Sequence, residues 1–184
     1  SEDHLTLLRP LFLLTAKPAM ALVNVDEDQM EDLDAVLAPV RTAFAATGSA
    51  DELVLGLCIQ LEAEAALLDE ESRVEMLEAL GLGDGALPQF LHTAYSLLGL
   101  RTFFTTGEKE SRAWTFRAGS KAPQCAGVIH TDFERGFIRA ECINWQELLD
   151  IGSWAKAKEA GKIRVEGKEY VVEDGDVVEF RFNV

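Results

Sequence analysis

The two halves of this chain differ sharply in charge, and that division constrains it more than any single motif. Residues 1–100 hold 18 Asp and Glu against 4 Lys and Arg, a formal charge of 4 − 18 = −14. Residues 101–184 hold 14 against 13, or 13 − 14 = −1. The total of −15 therefore hides a second half that keeps nearly all the basic residues. A field this negative argues against a non-specific nucleic-acid binder, while a basic face on the second half could still meet phosphate locally.

At 184 residues the chain can bury one good core or two small ones. A hydrophobic content of 48% with only 5 Pro excludes disordered and fibrous classes. Cys58, Cys125 and Cys142 are an odd number without paired spacing, which reads as buried thiols in a reducing compartment. Apolar runs such as Pro10–Leu14 and Ala19–Val23 are too short to span a bilayer. Ser1-Glu2-Asp3-His4 is acidic where a signal peptide needs basic residues, so no leader is expected. The missing initiator methionine suits a processed end or a piece of a longer chain.

The first half reads as strand–helix–strand–helix–helix. His4–Leu14 suggests the end of a helix, and Ala19–Val25 a buried strand closed by the polar Asn24-Val25-Asp26-Glu27. From Asp32 to Ala46, Leu33, Val36, Leu37, Val40 and Phe44 recur at helical spacing, with Pro39 implying a kink or a later start. Leu53–Ile59 is a second strand candidate, and Gln60–Leu68 a short helix or ordered loop. Asp69-Glu70-Glu71 opens a helix reaching Leu80, because acids suit a helix N-terminus; Leu87–Leu98 is another. Two strands are too few for an independent doubly wound sheet, so further strands are expected upstream.

After Gly99 the texture becomes β-rich: Thr102–Thr106, Arg112–Arg117, Gly136–Ile143 and Val177–Val184 alternate as strands. Ala122–Asp132 and Trp145–Ala160 read as helical, the latter broken at Gly152, and Lys162–Val172 as a hairpin about Gly167. This order fits a mixed sheet clasping one main helix, a small ubiquitin-like β-grasp.

Three blocks carry a family resemblance. Thr105 to Thr115, Ala126-Gly127-Val128-Ile129-His130-Thr131-Asp132-Phe133-Glu134-Arg135-Gly136-Phe137 through Glu141, and Glu166-Gly167-Lys168-Glu169-Tyr170 through Val177 resemble the C-terminal TGS domain of the YchF/Ola1 family of Obg-related P-loop NTPases. Upstream, Leu13-Leu14-Thr15-Ala16-Lys17-Pro18 with Asn24-Val25-Asp26-Glu27 resembles the family's base-recognition strand and loop. Leu61-Glu62-Ala63-Glu64 resembles the segment after its last nucleotide-contacting loop. The similarity covers nearly the whole chain but about half of a family member, and no GxxxxGK[ST] pattern occurs.

The resemblance implies an α/β partial P-loop NTPase domain over residues 1–99, followed by an α+β ubiquitin-like β-grasp (TGS) domain over residues 100–184. It implies that Asn24, Val25 and Glu27 serve the purine base, in the Asn-x-x-Glu form associated with accepting ATP as well as GTP. Guanine offers N1–H and N2–H₂ donors to a carboxylate, whereas adenine presents an acceptor at N1; a glutamate displaced by one methylene need not enforce guanine. Where the family usually has a small Ser-Ala pair before Leu61, this chain has Cys58-Ile59-Gln60. ATP or GTP with Mg²⁺ is implied for the full-length protein. Neither should bind tightly to these residues alone, because phosphoryl transfer needs a phosphate cradle, metal ligands and a positioned water.

The resemblance further implies a cytoplasmic protein that meets the ribosome, through its RNA or protein, by way of the TGS domain. The concave sheet face and the Lys109–Lys121 segment are the expected contacts, with Lys109, Arg112, Arg117, Lys121, Arg135 and Arg139 as candidates. No membrane association and no sequence-specific DNA binding is expected. If Arg112 and Trp114 alternate normally they share one strand face, with Trp114 either core under a snorkelling Arg112 or half of an exposed stacking pair. His130 reads as a hydrogen-bonded structural histidine, and Cys125 with Asp132 does not make a metal site. The alternative to a ribosome-associated NTPase segment is a non-catalytic adaptor whose β-grasp docks a protein; a third is a first half that folds around a segment supplied in trans.

Overall fold

The computed structural model describes residues 8–48, 50, 53–80, 82–83, 85–107 and 110–183. The chain divides into two compact units, Ser1–Leu98 and Gly99–Val184.

In the first unit, β1 (Ala21–Asn24) and β2 (Val54–Leu57) pair in parallel, from Ala21 opposite Val54 to Asn24 opposite Leu57. The crossover is a 3₁₀ stretch, Glu27–Asp32, followed by α1 (Leu33–Ala45). Asp32 caps α1 by accepting the Ala35 amide at 3.3 Å, and the expected apolar stripe faces inward, with Leu37 buried. The helix starts well before Pro39, contrary to one of the two expectations, because the Asp32 cap and the stripe fix its origin. Pro39 lies inside the helix on the solvent side. Close packing of α1 on β2 requires Gly56: an added Cβ would lie 2.5 Å from Leu33 Cδ1.

Three helices follow, α2 (Ile59–Ala65), α3 (Glu70–Ala79) and α4 (Ala86–Leu97). Asp69 caps α3 by accepting the Ser72 amide at 2.9 Å, with Glu70 and Glu71 in the first turn as the acidic run suggests. Val25, Cys58 and Leu61 form the buried centre beneath Met30, Leu33 and Met76. Within the helix end expected at His4–Leu14, Leu8 is helical and 3₁₀ turns follow at Arg9–Leu11 and Leu14–Ala16, because Pro10 cannot continue a helical ladder. His4–Leu7 fall outside the described residues.

The second unit is a five-stranded mixed sheet: β3 (Leu100–Thr106), β4 (Ser111–Arg117), β5 (Phe137–Asn144), β6 (Arg164–Glu166) and β7 (Asp176–Phe182), in the order β4-β3-β7-β5-β6. Only β3 and β7 run parallel. One face carries α5 (Ala122–Ile129), whose Ala122, Cys125 and Ala126 pack on Phe103, Phe116, Phe137, Cys142 and Phe180. Each large side chain buried this way contributes about 1.5–3 kcal/mol of transfer free energy. On the other face α7 (Trp145–Ile151) and α8 (Trp154–Glu159) cover Ile143 and Val177, with Ala157 fully buried; Trp154 packs there. Trp145, 45% exposed, lies against Gly175.

Two expectations are corrected here. The helix foreseen over Ala122–Asp132 stops at Ile129, because His130 is extended (φ −159°, ψ 138°) and caps a separate α6 (Thr131–Arg135); its Nδ1 accepts the Asp132 amide at 3.2 Å. The hairpin about Gly167 does not form. β6 pairs with β5, while the following segment crosses to the start of α5, where Ala122 N donates to Tyr170 O at 2.8 Å and Val172 N to Ser120 O at 3.1 Å. A buried carboxylate holds it there: Asp176, 1% exposed, accepts from Arg164 Nη2 (2.9 Å), Tyr170 OH (2.6 Å) and Glu173 N (3.0 Å).

Candidate base-recognition loop and docking surface

Asn24 stands at the C-terminal end of β1, exposed, where a parallel sheet presents its loops. Its Oδ1 accepts the Ile59 amide at 3.1 Å, tying the end of β1 to the first turn of α2. Val25 is buried and extends the pairing, with its amide donating to Leu57 O at 3.0 Å. Asp26 then starts the 3₁₀ stretch, its own amide donating to Gln29 Oε1 at 2.9 Å, and this turn lifts Glu27 onto the surface. Asn24 and Glu27 are thus both solvent-accessible, on one short loop whose middle residue is anchored in the core.

Glu62 does something the sequence did not announce. Its Oε1 accepts the Ala86 amide at 2.6 Å, placing a carboxylate at the N-terminus of α4. Gly85 makes room at φ +90°, where an added Cβ would also lie 3.2 Å from that oxygen. A cleft of about 390 Å³ beside it is lined by Met30, Leu33, Cys58, Glu62 and Gln89 among others, and not by Asn24 or Glu27.

In the second unit the basic candidates do not converge on one point. Lys109 lies outside the described residues. Arg112 lies with its Cζ 4.2 Å from the centroid of the Trp114 ring; Trp114 packs half-buried on the core and donates from Nε1 to Thr105 Oγ1 at 2.9 Å. The pair is therefore a core indole beneath a covering arginine. Lys121, at the start of α5, is ion-paired to Glu169, and Arg135 lies 3.9 Å from Asp132. Arg117 and Arg139 point to the sheet face opposite α5, as strand alternation from Phe116 and Ala140 requires.

That face also carries residues the sequence reading missed. Arg139 faces Arg181 across β5 and β7, and Glu141 faces Glu179. Glu141 Oε1 is 3.2 Å from Arg139 Nη2 and 3.5 Å from Arg181 Nε, and its Oε2 is 3.8 Å from Lys158 Nζ. The Glu141 side chain is 5% exposed and its Oε2 has no hydrogen-bond partner. Burial pushes this carboxyl's pKa up, but hydrogen bonds from Arg139 and Arg181 and the charges of Arg181 and Lys158 outweigh it and hold the group below its ordinary range. Alternation about Phe180 and Phe182 puts Glu179 and Arg181 on one face; their pairing with β5 could not be read from sequence.

The three cysteines are free and buried. Burial pushes the Cys125 and Cys142 thiols up to about 12, with the Asp176 charge adding to it, so neither is a nucleophile at neutral pH. Among the described residues no His/Cys/Asp/Glu group could hold a metal ion, and no helix is long and apolar enough to cross a membrane.

The comparisons with known proteins agree with one another. Residues 100–183 match the family YchF-GTPase_C, described as a protein of unknown function (DUF933). The whole chain is 50% identical to the ribosome-binding ATPase YchF of Bacillus subtilis and 46% identical to that of Escherichia coli O157:H7, in each case covering 50% of the relative. It is 38% identical to Obg-like ATPase 1 of Caenorhabditis elegans, covering 46% of it. The solved YchF GTPase of Schizosaccharomyces pombe superposes with a TM-score of 0.84 at 35% identity, over 98% of this chain and 48% of that one. The chain thus spans about half the length of the relatives it matches. From end to end the chain is similar to YchF and Obg-like ATPases, and its residues 100–183 carry the YchF-GTPase_C domain.

Proposed function

We propose that the chain is the base-recognition and docking part of a ribosome-associated ATP/GTP-binding protein. Its first unit is the C-terminal part of an Obg-type nucleotide domain and its second unit a TGS-type β-grasp. The observation that carries this is the Asn24–Ile59 hydrogen bond at 3.1 Å across a parallel β1–β2 pair, which sets a short polar loop over the C-terminal ends of both strands. With Oδ1 committed to Ile59, Asn24 keeps its Nδ2 donors for a ligand acceptor, and N7 of either purine is such an acceptor. Glu27, exposed three residues on, is the group that would meet the Watson–Crick edge. The residues present thus fit a purine base; the triphosphate and Mg²⁺ need a phosphate-binding loop whose pattern this sequence does not contain. Hydrolysis is accordingly a property of the longer protein.

The second unit supports the docking role. It keeps 13 of the 17 Lys and Arg (17 − 4 = 13) and leaves a sheet face bearing Arg117 and Arg139 open beside α7 and α8. Two relatives matched along the whole chain carry ribosome binding in their names. Lys109, Arg112, Lys121 and Arg135 remain contact candidates on other parts of the unit. Pelleting of purified ribosomal particles with the 184-residue chain tests this. Co-sedimentation at low salt that weakens as salt rises is the expected result. A chain that stays in the supernatant at low salt contradicts it and favours a protein adaptor.

A further inference from the structure

Resting on that docking role, we infer that Arg139, Arg181 and Lys158 form one phosphodiester-binding cluster for RNA on the sheet face opposite α5. Three cations from three elements converge on one buried carboxylate, within 3.2–3.8 Å of Glu141. A surface ion pair neutralises charge one for one. Here three cations meet Glu141 and Glu179, since Arg181 Nη1 also reaches Glu179 at 3.0 Å, so the cluster keeps a net +1. The cations stay accessible, with side-chain exposures of 51% (Arg139), 44% (Arg181) and 64% (Lys158), while Glu141 is sunk to 5%. The Glu141 charge is thus below the surface with the three cations above it, while Glu179, 42% exposed, lies beside Arg181. A buried carboxylate that orders two guanidinium groups lowers the entropy lost when they take a second acceptor from solvent.

The other basic candidates lack this arrangement. Lys121 is matched by Glu169, Arg135 lies beside Asp132, and the Arg112 guanidinium lies over Trp114. Charge complementarity selects a polyanion, and exposed cations on two neighbouring strands and a helix suit a nucleic-acid backbone without base readout.

The test uses the whole chain, a fluorescent single-stranded RNA probe of mixed sequence, and purified ribosomal particles. Removing both arginines would leave Glu141 buried and unpaired, so the main variant neutralises the cluster together: Arg139→Gln, Glu141→Gln and Arg181→Gln. Lys158→Gln is a second variant at an exposed position, and Lys17→Gln, exposed in the first unit, is the control. The triple variant should bind RNA at least about tenfold more weakly. Its log K against log salt should flatten by about 1.5, a change that a merely structural role would not produce. Lys158→Gln should weaken binding about threefold or more, and Lys17→Gln by less than about twofold. Wild-type binding to particles that the triple and Lys158 variants leave unchanged would overturn this inference and leave the docking role standing. Loss of particle binding with no affinity of the wild type for RNA would make the partner a protein and overturn it too. Wild type that binds neither would remove the docking role and the cluster together.

Discussion

Asn24 and Ile59 are 35 residues apart in sequence, yet the Asn24 side chain accepts the Ile59 amide at 3.1 Å. One amide side chain thereby connects the loop after β1 to the helix after β2, and any ligand held by the first loop is placed relative to the second. Asn24→Ala should cost about 1 kcal/mol of first-unit stability, the net worth of one hydrogen bond. Denaturant unfolding followed by a probe in that unit measures it; an unchanged midpoint would mean the bond does not hold the loops.

Glu27 lies where a longer or shorter acid changes reach but not charge. In a protein that also carries the phosphate-binding half, Glu27→Asp should shift preference toward GTP, because a carboxylate set to pair with N1–H and N2–H₂ discriminates by its unpaired partners. Competition binding with ATP and GTP measures the ratio. An unshifted ratio would take Glu27 out of base selection.

Glu141 gives the second unit a defined acid limb. Its folded pKa is depressed below the unfolded value of about 4.3. Its contribution is therefore fully present above that pH and is lost as pH falls through the folded value. Glu141→Gln should be less stable than wild type at pH 7, with the gap narrowing below about pH 4. Thermal unfolding across pH 3–7 checks this, and a pH-independent gap would contradict it.

Much of this was legible in the sequence, for physical reasons that differ by element. The Asp32 cap and the Leu33–Phe44 stripe placed α1, and the acids at 69–71 placed α3, because both signals are local. Alternation in 111–117 put Arg112 with Trp114 and left only the choice between core and surface, which the Trp114–Phe103 stacking decides for the core. The misses are non-local. The segment after Gly167 looked like a hairpin arm, but its partners are Ser120, Ala122 and the buried Asp176. The Arg139–Arg181 pairing needs the β5–β7 register, and the Glu62 contact with Ala86 spans 24 residues. Neither leaves a periodic trace.

Cys125 and Cys142, fully buried with thiols pushed up to about 12, should resist alkylation at pH 8. Iodoacetamide labelling with peptide mass spectrometry should modify them only when the second unit unfolds. Rapid labelling in the native protein would mean that the packing of α5 on the sheet opens readily.

The most direct test of the docking account is lysine acetylation footprinting of the chain on purified ribosomal particles. Lys158, exposed beside Glu141 in the second unit, should lose reactivity on binding, while Lys17, exposed in the first unit, keeps it. Protection at Lys17 with Lys158 unchanged would place the contact on the wrong unit and contradict the account.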